Sequence, residues 1–288
     1  MITAMAGFDP ETYKRTTTEQ WQAAAPKWAA WTPVLEDWLG AATERMLDLA
    51  GVSPGSRVLD VAAGAGGQSL AAARRVGPEG SVLATDIASN ILEYAAEAAR
   101  AEGLTNLTTQ VADGEEIGVE PAQFDAVISR LGLMFFPDRA RALAGMRQAL
   151  RPGGRLAAIA YTTPERNAFF STPITLVRER TKQPPPSPGQ PGPFSLGATG
   201  VFEAELLAAG FTDVIVEAFD APVRLPDAKE YTRFARESFG ALHQMMSGLD
   251  EDAQEAIWSE VENAMSRYEG PAGFAGPCEL LIGAGTKA

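Results

Sequence analysis

From Arg57 to Ala63 the chain runs apolar and short-sided, and it passes without a spacer into Gly64-Ala-Gly66-Gly-Gln-Ser69. A strand that ends in paired glycines and leads into an Ala-rich, helix-favouring stretch (Gly66 to Val76) is the opening of a parallel sheet with crossover helices. The segments that follow keep this rhythm. Ser81 to Ile87 reads as a second strand. Ser89 is placed to cap a helix through about Glu102, with Ile91, Leu92, Ala95 and Ala99 on one stripe and Gly103 closing it. Leu107 to Ala112 and Phe124 to Ser129 supply two more strands. Pro137 opens a helix that stops at Arg151-Pro-Gly-Gly154, and Arg155 to Tyr161 is a fifth strand. Strands joined by helices need crossovers, so residues 45–163 are expected to form a doubly wound α/β core.

Beyond this core the rhythm breaks. Residues 182–197 hold six prolines and three glycines, which regular structure does not accommodate. They are read either as a surface loop or as a lid over a ligand, within an insertion spanning 164–200. Residues 201–288 are expected to complete the sheet through strands at Phe211 to Phe219 and near Cys278 to Ile282. Helices over about 227–268 interrupt them as a cap. Residues 1–44 form a helical N-terminal segment. The expected fold is thus a Rossmann-like, mostly parallel seven-stranded sheet with a helical cap.

Charge narrows the partners. With 24 Lys and Arg against 37 Asp and Glu, the net charge is −13. Nucleic acid and anionic membrane surfaces both require a basic face, so neither is expected. A cationic ligand meets no long-range penalty. The single cysteine, Cys278, forms no intramolecular disulfide and reads as a small buried hydrophobe, which fits a reducing compartment. No run is long enough to span a bilayer, and Met1 to Arg15 has no secretory pattern, so a cytoplasmic location is expected, as monomer or homodimer.

Open parallel sheets bind ligands beyond the carboxyl ends of their strands. The strand ends here carry Asp60 with Gly64 and Gly66, then Asp86, then Asp113-Gly114, then Arg130. Carboxylates on one rim suit a nucleoside without phosphates: one grips a ribose diol and another accepts from an adenine amino group. Asp60 alone reads equally well as a structural cap. Dinucleotide binding requires a third glycine three residues after Gly66, where Ser69 stands, so a nicotinamide oxidoreductase is the lesser alternative. No metal site is expected.

In these motifs the chain resembles the class I S-adenosylmethionine-dependent methyltransferases over residues 56–163. The matching segments are VLDVAAGAGGQS, TDIASNIL, VADGEEI, FDAVISRLGLMFF and LRPGGRLAAIAYTTP. The resemblance is strongest to the ubiquinone/menaquinone-biosynthesis C-methyltransferase subgroup, which shares Ala at Ala62 and a Gly-Leu pair like Gly132-Leu133. It implies S-adenosyl-L-methionine as cofactor. Gly64 and Gly66 would line the methionine side with Ser69 nearby, Asp86 would hold the ribose hydroxyls, Asp113 and Gly114 the adenine, and Asp60, Ala62 and Ile87 would complete the cofactor site. Arg130 would lie close to the sulfonium end, where the subgroup carries a smaller polar residue.

The implied activity is methyl transfer to an O, N or C atom of a small, partly apolar metabolite; a non-catalytic cofactor-binding protein is the alternative from another class. His243, the only histidine, is the candidate base, with Tyr13 and Tyr161 behind it. Trp28, Trp31, Phe135 and Phe170 are candidates to line the acceptor pocket or, equally, to pack the core.

Overall fold

The computed structural model describes residues 8–186 and 189–288, so residues 1–7 of the N-terminal segment and residues 187–188 of the Pro-rich stretch lie outside it. Two helices come first, α1 (Pro10–Ala30) and α2 (Thr32–Leu49). The alternating core follows: β1 (Arg57–Val61), α3 (Gly67–Val76), β2 (Ser81–Asp86), α4 (Ser89–Ala101), β3 (Leu107–Val111), β4 (Phe124–Arg130), α5 (Arg139–Ala149) and β5 (Leu150–Tyr161). After α6 (Ala168–Thr181), α7 (Val201–Ala208), β6 (Thr212–Asp220) and β7 (Val223–Leu225) come α8 (Ala228–Ser238), α9 (Gly240–Met246) and α10 (Glu251–Met265). The chain ends on β8 (Glu269–Gly270), β9 (Gly273–Gly276) and β10 (Glu279–Thr286).

The main sheet has seven strands in the order β3-β2-β1-β4-β5-β10-β6. The pairings among β1 to β5 are parallel, and β10 runs antiparallel between β5 and β6. Strand order reverses between β1 and β4, which opens a crevice at their carboxyl ends. Helices cover both faces, so Val58, Leu59, Ala126, Val127, Ile128 and Ala157 to Ala160 are fully enclosed.

Several local details differ from the sequence reading. Ser89 is the first residue of α4 and not its cap; the Ala88 N–H is taken instead by Asp86 Oδ1 at 3.0 Å. The helix expected from Pro137 starts at Arg139, capped by Asp138, because a 3-10 turn at Leu133–Phe135 uses the preceding residues. The Pro-rich stretch begins only after α6, which fills much of the 164–200 insertion. The expected 44/45 boundary falls inside α2.

The cap consists of three helices. α8 ends and α9 starts at Phe239, whose ψ of 73° is not helical. Asp227 and Asp250 cap α8 and α10 through the N–H groups of Glu230 and Ala253. A second sheet, β7-β9-β8, was not foreseen; strands of two to four residues carry no readable period.

The N-terminal helices are fastened to this frame. Trp38 Nε1 donates to the Ala221 carbonyl at 2.8 Å, and its ring lies edge-on to Phe169 and Phe234. Arg45 grips Glu217 of β6 with two hydrogen bonds of 2.6 and 2.8 Å. The Pro-rich stretch is tied at both ends. Gln183 Nε2 donates to Met245 O, while Gly192 N and Ser195 Oγ donate to Met134 O. Among the described residues no helix is long and apolar enough to cross a membrane, and no group of three or more His, Cys, Asp or Glu side chains is placed to hold a metal ion.

Candidate active site

A cavity of about 940 Å³ opens at the reversal point. That is near the upper end of the roughly 300–1,000 Å³ found for small-molecule sites, room for two ligands side by side. Its floor is the carboxyl edge of the sheet. α1 forms one wall; α6, the Pro-rich stretch and the α8–α9 junction form the other.

One half is polar. Gly64, at φ +58°, turns the chain after β1 so that its N–H donates to Asp86 Oδ2 at 2.9 Å. Asp86 therefore accepts two backbone N–H bonds, from Gly64 and Ala88. Burial raises its carboxyl above the ordinary range, and these N–H bonds pull the other way. At the end of β3, Asp113 accepts from Glu115 N and from Lys14 Nζ at 2.8 Å; Lys14 also meets Glu115 at 2.5 Å. Burial alone would lower the Lys14 ammonium, but the two carboxylates outweigh it and raise it. Phe136 packs so closely on Gly114 that a Cβ there would fall 2.4 Å from its ring.

Beneath the glycine turn lies a buried polar knot. Asp60, fully enclosed, accepts from Ser69 Oγ at 2.5 Å and Gln68 Nε2 at 3.3 Å. Desolvation pushes its carboxyl up to about 7 despite these donors and nearby Arg130. Arg130 lowers its guanidinium into this region, bonding Thr43 Oγ1 at 2.9 Å and abutting Gly67 at the start of α3. Its burial depresses the guanidinium to about 10.

The other half is apolar and aromatic. Tyr161, Phe170, Phe194 and Phe239 line it, with Phe170 edge-on to Phe239 at 4.5 Å and 5.9 Å from Tyr161. Burial raises the hydroxyls of Tyr13 and Tyr161, Tyr161 strongly, so both are neutral phenols at neutral pH. Ser238 also lines the cavity, and its buried Oγ has no hydrogen-bond partner among the described residues.

The structure thus brings Ala62, Gly64, Asp86, Ile87, Asp113, Gly114 and Arg130 to one cavity, together with Trp28, Phe135 and Phe170. Five expected site residues lie off its lining. Asp60 and Ser69 satisfy each other under the turn, and Gly66 packs against Ala95, 2.6 Å from where a Cβ would be. Trp31 is 5% exposed in the core, stacked edge-on to Phe234, bonded to Glu237 and covered by the Arg233 guanidinium. His243 is exposed on the outside of the cap beside Trp258, its Nε2 facing the Arg236 carbonyl. Its helical stripe includes the buried Leu242 and Met246, but the imidazole points away, so it has no access to a bound acceptor.

Sequence reasoning missed Lys14, Gln20, Glu36 and Arg178, all of which line the cavity. The signal was present for α1: Tyr13, Thr17, Gln20, Ala24 and Trp28 recur at helical spacing and face inward together. Lys14 meets Asp113 across 99 positions, which no local pattern reveals.

Comparisons with known proteins agree with this geometry. A model described as a methyltransferase domain matches residues 58–154. The nocamycin O-methyltransferase of Saccharothrix syringae is 30% identical over 194 residues, covering 64% of this chain and 69% of that protein. A ubiquinone/menaquinone biosynthesis C-methyltransferase of Teredinibacter turnerae is 36% identical over 120 residues, 41% of this chain and 48% of that one. The chain spans about half the length of further curated relatives, 44% and 53% in two cases. The fold matches that of the YcgJ protein of Bacillus subtilis with a TM-score of 0.60 at 17% identity, over 86% of this chain and 98% of that one.

Proposed function

Because the chain belongs to the class I S-adenosylmethionine-dependent methyltransferase family, we propose that it transfers the methyl group of S-adenosyl-L-methionine to an O, N or C atom of a small, partly apolar metabolite. The observation that carries this reading is the Gly64–Asp86 contact on the floor of a cavity whose other half is aromatic.

The polar half fits the cofactor in its donor set. A carboxylate offers about four acceptor positions; backbone N–H groups take part of that capacity on Asp86 and leave the rest for a ribose diol. Asp113 and Gly114 stand where an adenine edge would lie. The N-terminus of α3 and the adjoining Arg130 suit the methionyl carboxylate, since both favour an anion. A pyrophosphate would instead face Asp86, Asp113 and Glu115. When bound, the cofactor supplies a methyl group on a positive sulfur that departs as a neutral thioether.

The chain's own contribution is placement. Holding two reactants in line is worth effective molarities of about 10⁵ M or more. The aromatic faces of Tyr161 and Phe170 accommodate a cation beside an apolar acceptor. The Pro-rich stretch, pinned at Met134 and Met245, contributes Pro185, Pro186 and Phe194 to the cavity lining. The single free Cys278 fits a reducing compartment such as the cytoplasm, and the charge of −13 fits a small-molecule acceptor rather than nucleic acid.

The test is calorimetric titration with S-adenosylmethionine and with a nicotinamide dinucleotide, then mass spectrometry after incubation with a panel of aromatic hydroxyl and carboxyl acceptors. The proposal expects tight binding of the first only, and S-adenosylhomocysteine formed in step with a methylated product. Binding without product across the panel would mark a non-catalytic cofactor-binding protein.

A further inference from the structure

Among the described residues three cations line the cavity, and two of them are engaged. Lys14 is held by Asp113 and Glu115, and Arg130 by Thr43 beside Asp60. The third, Arg178 on α6, makes no ion pair and no side-chain hydrogen bond with any described residue. It is half-buried. Its neighbour Arg180, on the outer surface, holds Glu260 through bonds of 2.7 and 2.9 Å. In a chain with 37 acidic residues, Arg178 is an arginine on the cavity lining that no described carboxylate pairs.

Its place on α6 sets the geometry. Phe170, Ile174 and Arg178 stand four residues apart, line the cavity together and form one row along the helix. Eight residues of helix put Arg178 about 12 Å from Phe170 along the axis. Phe170 is in the aromatic group with Tyr161 and Phe239, next to the strand ends. Arg178 lines the same cavity as Pro185, Pro186 and Pro191 of the Pro-rich stretch.

We propose that the acceptor is an anion: a flat, largely apolar ring system whose carboxylate is gripped by Arg178 at the end of the cavity away from the strand tips. This rests on the methyl-transfer reading above. The planar guanidinium fork matches a carboxylate with two parallel hydrogen bonds, and the aromatic walls match fused rings. Arg178 sets specificity and takes no part in the transfer itself.

The test uses protein saturated with S-adenosylhomocysteine, whose binding is measured first by calorimetry. Anthraquinone-2-carboxylate and anthraquinone-2-carboxamide are then titrated by quenching of tryptophan fluorescence. Wild-type protein is expected to bind the acid about tenfold or more tightly than the amide, the scale of a charge-assisted pair. Arg178→Gln should abolish this preference, leaving affinity for the amide and for S-adenosylhomocysteine unchanged, and Arg178→Lys should restore part of it. Equal binding of acid and amide by wild type, binding of neither, or a preference that survives in Arg178→Gln overturns the proposal. Failure to bind S-adenosylhomocysteine would instead strike the methyl-transfer reading beneath it.

Discussion

Asp86 and Asp60 show how two aspartates at the ends of adjacent strands take different tasks. Asp86 faces the cavity with part of its accepting capacity free, so Asp86→Ala should weaken S-adenosylmethionine binding by about 1–3 kcal/mol in calorimetry. Asp60 is enclosed, and its role is to hold Ser69 and Gln68 under the glycine turn. Its folded value of about 7 stands above its unfolded value. Between about pH 4 and 7 the native state therefore holds a proton that the unfolded state has released, and stability falls as pH rises through this window. Urea unfolding of wild type and Asp60→Asn should give a stability difference that declines across that window by on the order of a few kcal/mol, then levels off; a flat difference would contradict the assignment. His243→Ala should leave turnover at the wild-type rate, since the imidazole is outside the cavity. The sequence placed Asp60 and Ser69 on the rim with Asp86 because strand position shows which end a residue is on, but not which way its side chain turns.

Helix α1 closes the polar half, and Lys14 is its latch. The contact spans Asp113 and the buried Glu115, which also accepts from Asp138 N and so joins α1 to the start of α5. Lys14→Met should speed hydrogen exchange along 10–30 and weaken retention of the cofactor; exchange identical to wild type would show that packing alone holds the helix. The strands and helices of the core were legible because each carries a strong period, as in the Ile91, Leu92, Ala95 and Ala99 stripe of α4. The break at Phe239 was not, because the apolar pattern runs on from α8 into α9 while only the backbone turns. The small sheet was missed for want of length. The orientation of α9, which aims His243 outward, depends on that same break.

On the scale of the whole molecule, the seven-stranded order with an antiparallel β10 fixes where the cavity can be. The charge of −13 leaves the surroundings favourable to a sulfonium. The cofactor half was readable because its residues come from consecutive strand ends. The acceptor half was not, because it is assembled from α1, α6, the Pro-rich stretch and the α8–α9 junction, segments distant in sequence that meet only in the fold. A crystal structure of the protein with S-adenosylhomocysteine tests the central claim most directly. The account predicts both ribose hydroxyls on the Asp86 carboxylate and the sulfur turned toward Tyr161 and Phe170; an adenosyl group that makes no contact with Asp86, or that lies outside this cavity, would contradict it.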